Sequence, residues 1–130
     1  MRRFRVWSDY WKKYAIEAEL YMDGSADAVF EDDGGVPHHE NTDLVLEFDT
    51  GLKDKNGEEI REGDIVQMPL DLAIRKVGFV AFVNGRFLVK DYEFEDGSYH
   101  IVDFYDYNIP NRDFEVIGTI HENPEMLEEE

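Results

Sequence analysis

Asp54, Glu58, Glu59, Glu62 and Asp64 fall within one stretch, TGLKDKNGEEIREGDIV, residues 50–66. Carboxylates at that density are the groups with which glycosidases and divalent-metal enzymes work. A second candidate is His38-His39-Glu40, since imidazole and carboxylate are ligands for Zn²⁺. The spacing speaks against both chemistries. Adjacent histidines rarely chelate one ion, and the chain has neither a His-x-His nor a His-x-x-x-His pair. Aspartates beside Asn and Gly bond their own local backbone in turns, which gives Asp64 the task of bracing the chain where it enters the next element. The stretch is therefore read through its backbone devices, Gly51, Asn56-Gly57 and Gly63-Asp64. No catalytic, cofactor-binding or metal residue is assigned, and no cofactor is expected.

The elements around it follow from periodicity and turn signals. Phe4 and Val6 alternate with Arg3 and Arg5, a strand with one wet face. Its basic residues are solvated or, in a second reading, lie on acidic surface of the same or a neighbouring subunit. Residues 8–22, SDYWKKYAIEAELYM, fit two templates. At a period of 3.6, Trp11, Tyr14, Ala15, Ala18 and Met22 share a helix face with Ser8 or Asp9 as N-cap; at a period of two, Ile16, Ala18, Leu20 and Met22 face one way. Asp23-Gly24-Ser25 then turns the chain into Ala26–Phe30, making a hairpin. Residues 31–41, EDDGGVPHHEN, read as an acidic loop, and Leu44–Phe48 as a strand.

In 50–66, Asn56-Gly57 suits a turn with φ > 0 at two successive residues, so the stretch reads as a folded connector into a small β-barrel. Ile65–Met68 is a short strand closed by Pro69, and 70–75 a looped excursion. Lys76–Val83 is apolar on both faces, covered on both sides or covered on one and placed at a subunit contact on the other. Asn84-Gly85 is the strongest hairpin signal in the chain. A turn at Asp96-Gly97-Ser98 leads into Tyr99–Tyr105, and Phe114–Ile120 is a last strand with Gly118 at a bend or bulge. Asn123 as cap, Pro124 at the first helical position and Glu125 beside it give a short terminal helix or turn. The predicted class is mainly β: an SH3-type small barrel in the C-terminal half, an N-terminal β-hairpin segment and a short C-terminal helix or turn. The division is 1–48 with the loop at 31–41, then 49–130 with the connector at 50–66, packed as one compact unit.

Composition bounds the function. The 130 residues are 42% hydrophobic and 14% aromatic, too apolar for a disordered chain, and contain no cysteine, which removes disulfides and thiol chemistry. MRRFRVWSDYW lacks the apolar core of a signal peptide and no membrane span is expected, so the expected compartment is the cytoplasm. Thirty-one acidic against thirteen basic residues give a formal charge of −18. That charge repels nucleic-acid phosphates and anionic membrane, and direct binding to either is not expected.

TGLKDKNGEEIREGDIV, the C-terminal EVIGTIHENPEML and the initial FRVW together resemble the YopX family of small phage and prophage proteins. The resemblance is weakest over residues 10–41. It implies a mainly β protein with an SH3-type C-terminal half and a tendency to self-associate, and it tips 8–22 toward strand. It supplies no mechanism. The expected function is a non-enzymatic, oligomeric protein-binding or adaptor module in the host cell, taking an unknown host or phage protein as partner, with Trp7, Trp11, Tyr105 and Tyr107 as interface candidates among the aromatic residues. The alternatives are an acidic imitation of DNA that occupies a host nucleic-acid-binding protein, and a metal-dependent enzyme.

Overall fold

The structure is a computed structural model that describes residues 4–69, 73–104 and 114–128. It is mainly β, with antiparallel sheets that curl. The chain divides into two compact units, Met1–Phe48 and Asp49–Glu130.

The first unit contains β1 (Phe4–Ser8), β2 (Lys13–Tyr14), β3 (Glu17–Leu20), β4 (Ala26–Glu31), β5 (Pro37–Glu40) and the first half of β6 (Leu44–Lys53). β1 pairs with β2 on one side and β6 on the other, with Val6 opposite Leu46 and Trp7 opposite both Tyr14 and Val45. β3, β4 and β5 make a separate three-stranded sheet. Ala26, Ala28 and Phe30 of β4 are buried in strict alternation, the period-two pattern of a strand with one covered face. Val6, Ala28 and Phe30 centre the core, with Phe4, Trp11, Ala15, Ala18, Leu44 and Leu46 against them.

The alternation of arginine and apolar residues in β1 does not give a wet face. Flanked on both sides, β1 keeps Arg5 largely covered: its Nε donates to Glu47 Oε1 at 2.9 Å, and its guanidinium lies 4.6 Å over the Tyr14 ring. The Tyr14 hydroxyl donates to the same Glu47 oxygen at 2.7 Å. A partnered ion replaces water there, the condition under which buried charge is tolerated.

Residues 8–22 form no helix: a turn at 9–12 leads into the short strands β2 and β3. Ser8 Oγ does accept the Trp11 N–H at 3.0 Å, but Lys12 has φ +56, which ends the turn before a second helical turn can form.

The segment 31–41 is corrected from a loop to a hairpin. Asp32 Oδ1 accepts the N–H groups of Gly34 and Val36, both at 2.9 Å, so the turn satisfies itself and returns the chain as β5. Glu31 then lies opposite Pro37, and Val29 opposite His39. PHHE carries no apolar alternation; its pairing is set by β4 and by the turn.

In the second unit the other half of β6 pairs with β7 (Glu59–Arg61), and a five-stranded sheet follows in the order β11-β10-β9-β8-β12. Its strands are β8 (Asp64–Gln67), β9 (Val77–Val83), β10 (Arg86–Glu93), β11 (Tyr99–Asp103) and β12 (Glu115–Thr119). The 50–66 stretch is thus no mere connector: it holds the end of β6, all of β7 and the start of β8. Ile60, Ile65, Val66, Val80, Phe87, Val89, Val102, Phe104 and Phe114 are buried. Asn84 (φ +51) and Gly85 (φ +85) form the β9–β10 turn, both left-handed as a type I′ turn requires. β12 shifts register between Val116 and Gly118. A 3₁₀ helix, Pro124–Leu127, ends the described chain with Pro124 in its first turn. Asn123 precedes it without a side-chain cap; its Oδ1 accepts the Thr119 N–H at 3.2 Å instead. Among the described residues no helix is long and apolar enough to cross a membrane.

Candidate functional site

The carboxylates of residues 50–66 do not converge on a common point. Asp54, 5% exposed, turns inward. Its Oδ1 accepts the N–H groups of Asn56 and Glu58, each at 2.9 Å, and its Oδ2 accepts the Val116 N–H at 2.8 Å. Lys55 N–H donates to Phe114 O at 2.9 Å, and Asn56 Nδ2 to Glu115 Oε2 at 3.1 Å. The turn between β6 and β7 is therefore stitched to the entrance of β12. Only Gly57 (φ +81) is left-handed there; Asn56 is not, so the two-residue type I′ turn expected at Asn56-Gly57 is replaced by a longer one built on Asp54.

Asp64 is 2% exposed and its Oδ2 accepts the Arg61 N–H at 2.7 Å. Glu59 pairs with the Arg61 guanidinium at 2.6 Å, while Glu58 is exposed. Between these residues Gly63 (φ +85) donates its N–H to Val80 O at 2.8 Å and accepts the Ile120 N–H at 2.9 Å, joining β9 to the end of β12. Gly63→Val forces a β-branched residue into that left-handed conformation, at a cost of about 2 kcal/mol. Glu58→Gln should stay within about 0.5 kcal/mol of wild type. Urea denaturation of both variants checks the pair, and equal midpoints would remove the backbone reading of this stretch.

Other aspartates repeat the device. Asp23 Oδ1 accepts from the Ser25 N–H (2.9 Å) and hydroxyl (2.6 Å), Asp96 Oδ1 likewise from Ser98 (2.9 and 2.6 Å), and Asp49 Oδ1 from the Gly51 N–H (2.9 Å). The Ser25 hydroxyl holds Asp23 below the usual carboxylate range, as Ser98 does Asp96 and His38 does Asp32. For Asp54 burial pushes upward, but the N–H groups of Val116, Glu58 and Asn56 outweigh it and the net direction is down. Folded values below the unfolded value of roughly 3.9 contribute stability that is complete above that pH and is lost as the pH falls through the folded values. The urea midpoint should be flat from pH 7 to 5 and then fall steadily below pH 4; a midpoint that held to pH 2.5 would contradict this account.

His38 and His39 are successive strand residues, so their rings point to opposite faces and cannot share an ion. His38 Nε2 lies 3.0 Å from Asp32 Oδ2, with its ring 4.8 Å from that of Trp11. His39 lines a shallow depression with Glu17, Ala18, Glu19, Asp27 and Val29. Among the described residues no group of three or more His, Asp or Glu side chains is arranged to hold a metal ion.

The YopX protein family model matches residues 3–128. The chain belongs to the YopX family. Among solved structures, protein EF1440 from Enterococcus faecalis is 31% identical, with 98% of this chain and 99% of that chain aligned at a TM-score of 0.61. Protein yopX from Bacillus subtilis is 21% identical over 96% of this chain and 97% of that one, with a TM-score of 0.59, a likeness of fold. A search of the curated proteins returned no match.

Within this YopX-family fold the aromatic interface candidates separate. Trp7 is corrected from interface to interior: it is 3% exposed, packs edge-on against Tyr14 at 5.1 Å and donates its indole N–H to Asp9 at 2.9 Å. Trp11 is half-buried, stacked with Phe30 at 6.4 Å, its indole N–H donating to Glu40 at 3.2 Å. Phe104 is likewise buried. Tyr105 and Tyr107 lie outside the described residues.

Asp91 was missed in the sequence. Its side chain is fully buried; Oδ2 accepts the N–H groups of Ile74 (2.6 Å) and Arg75 (3.0 Å), and Oδ1 lies 2.6 Å from His100 Nδ1. Arg75 in turn donates to Leu127 O at 2.8 Å and Glu128 O at 3.3 Å, fastening the terminal 3₁₀ helix. The available signal was parity: Phe87, Val89 and Asp91 share the inward face of β10, and an acid in that series announces a bonded partner.

Proposed function

We propose that this YopX-family chain is a non-enzymatic, oligomeric protein-binding module of a phage or prophage, working in the cytoplasm of the host cell, and that its second unit is a small barrel of SH3 type. The observation that carries the binding reading is the exposure of large apolar side chains: Tyr10 at 78%, Ile16 at 55% and Val36 at 54% in the first unit, Phe82 at 45% and Ile101 at 42% in the second. Aromatic and large aliphatic side chains are the groups that anchor protein interfaces when a partner covers them. The SH3 assignment draws support from five short antiparallel strands whose register slips at Lys90/Tyr92 and Val116/Gly118, bulges that bend a sheet.

The non-enzymatic half of the reading rests on the aspartates, whose oxygens are engaged by the chain's own backbone. The same engagement weakens the imitation of DNA, because carboxylates tied into turns are placed by those turns and not by a phosphate-like spacing.

Light scattering over a concentration series should return a mass above that of one chain; a concentration-independent monomer would remove the oligomer. Capture from host lysate at low and high salt separates the binders. An apolar-anchored partner stays bound at high salt, whereas a partner deceived by charge is released.

A further inference from the structure

We propose that Asn84-Gly85 is a site of spontaneous covalent modification, at which Asn84 deamidates through a cyclic imide to aspartate and isoaspartate. The inference is independent of the protein-binding reading. In five dipeptides of the chain Gly follows Asn or Asp, so that no side chain hinders ring closure: Asp23-Gly24, Asp33-Gly34, Asn56-Gly57, Asn84-Gly85 and Asp96-Gly97. In each, the reaction begins when the glycine nitrogen attacks the side-chain carbonyl carbon of the residue before it. A nitrogen that donates its N–H to a fixed acceptor keeps its proton and its direction, and is withheld from that attack. Four of the five glycines are withheld in this way. Gly24 donates to Tyr21 O at 3.0 Å, Gly34 to Asp32 Oδ1 at 2.9 Å, Gly57 to Asp54 O at 3.1 Å and Gly97 to Phe94 O at 2.9 Å. The Gly85 N–H has no acceptor among the described residues. Turn type is the cause. In the two-residue type I′ reversal the ladder closes between Val83 and Arg86, outside the central pair, so Gly85 has no bond to make. Gly24, Gly57 and Gly97 instead close their turns onto the residue three before them.

The two Asn-Gly pairs are the sharpest comparison. Asn56 and Asn84 are both exposed, and a Cβ at Gly57 or Gly85 would meet nothing within 4 Å, so neither exposure nor crowding separates them. Hydrogen bonding does. The Asn56 carboxamide donates to Glu115 Oε2 at 3.1 Å and its N–H to Asp54 Oδ1 at 2.9 Å. The Asn84 carboxamide has no partner among the described residues. Bringing the glycine nitrogen onto Cγ needs a backbone rotation, which at Asn56 breaks the bonds to Asp54 and Glu115 and at Asn84 opens the free end of one ladder. Hydroxide then takes the Gly85 amide proton and the nitrogen bonds to Asn84 Cγ. The Cγ–Nδ2 bond breaks, and Nδ2 takes a proton from water and leaves as ammonia. A water molecule opens the imide. Cleavage of the new N–Cγ bond leaves aspartate, and cleavage of the original peptide bond leaves isoaspartate. The sum is one water consumed and one ammonia released, with no oxidant or cofactor. Isoaspartate lengthens the reversal by one backbone carbon, which disturbs the adjoining Phe82–Phe87 pair, in register and 4.8 Å apart.

The test incubates the full chain at 37 °C and pH 8.5, once folded and once unfolded in guanidinium chloride. Peptides carrying residues 56 and 84 are followed by mass spectrometry, with electron-transfer fragmentation separating aspartate from isoaspartate. In the folded chain, conversion at Asn84 should run at least tenfold faster than at Asn56. In guanidinium the difference should close, because both sites are then the same dipeptide in an open chain. Equal folded-state rates at the two sites overturn the proposal. So does an Asn84 that stays intact in the folded chain while reacting in guanidinium, which would mean that the turn protects it. Amide hydrogen exchange supplies a second reading, since it shares the base-catalysed loss of the amide proton. Gly85 should exchange at least tenfold faster than Gly57, and equal protection of the two overturns the assignment of Gly85 as the free nitrogen.

Discussion

Asp54→Ala lowers stability by about 3 kcal/mol at pH 7, because it strands the N–H groups of Asn56, Glu58 and Val116 together. Three donors lose one acceptor residue, and the Val116 N–H belongs to the entrance of β12, so the loss is not confined to the turn. Asp54→Asn is an incomplete rescue. Its carboxamide has one accepting oxygen, and whichever way it is turned its NH₂ faces a backbone N–H. Alanine should therefore be the more destabilising and asparagine intermediate, both read from urea curves. Hydrogen exchange at the Val116 amide should quicken in both. Because wild-type Asp54 protonates in acid, the gap between wild type and Asp54→Ala should narrow below pH 4. A gap unchanged by acid would mean that the charge on Asp54 contributes nothing.

Gly78→Val has an effect of similar size for a different reason. A Cβ at this position would lie 2.6 Å from Lys90 O, 2.7 Å from Val89 Cγ1 and 3.0 Å from Asp91 Cα. Two of those atoms are backbone and cannot rotate away, so the cost exceeds that of ordinary overpacking and reaches about 3 kcal/mol or more. The expected melting temperature falls by roughly 10 °C or more. Gly34→Ala is the control: its Cβ meets only Asp32 Oδ1, at 3.4 Å. Similar melting of both variants would show that β9 and β10 are not in close approach at Gly78.

Gly78 and Asn84-Gly85 differ in how legible they are in the sequence. Asn84-Gly85 was legible because a turn is local chemistry, and two residues needing positive φ declare themselves. Gly78 was silent, since what excludes a side chain is the carbonyl of a residue on the neighbouring strand. The same distinction separates Ala26–Phe30, whose alternation is written in residue type, from Pro37–Glu40, a strand made by its partner and by the Asp32 turn. At the candidate site, Asp64 could be read as a turn residue from its neighbours. The third bond of Asp54, to Val116, could not, because it closes a loop of 62 residues. Arg5 misled for a related reason: a charged residue in alternation signals water unless a buried acid such as Glu47 stands across the ladder.

The aspartate turns also bear on where the acidity of the chain comes from. Asp23, Asp32, Asp54 and Asp96 are placed by the geometry of reversals in a chain that repeatedly turns back on itself. Part of the negative charge is thus a by-product of building a protein from many short antiparallel strands. A relative could shed surface glutamates and drift toward neutrality without consequence for its architecture, while these aspartates would stay behind as the residue of the fold itself.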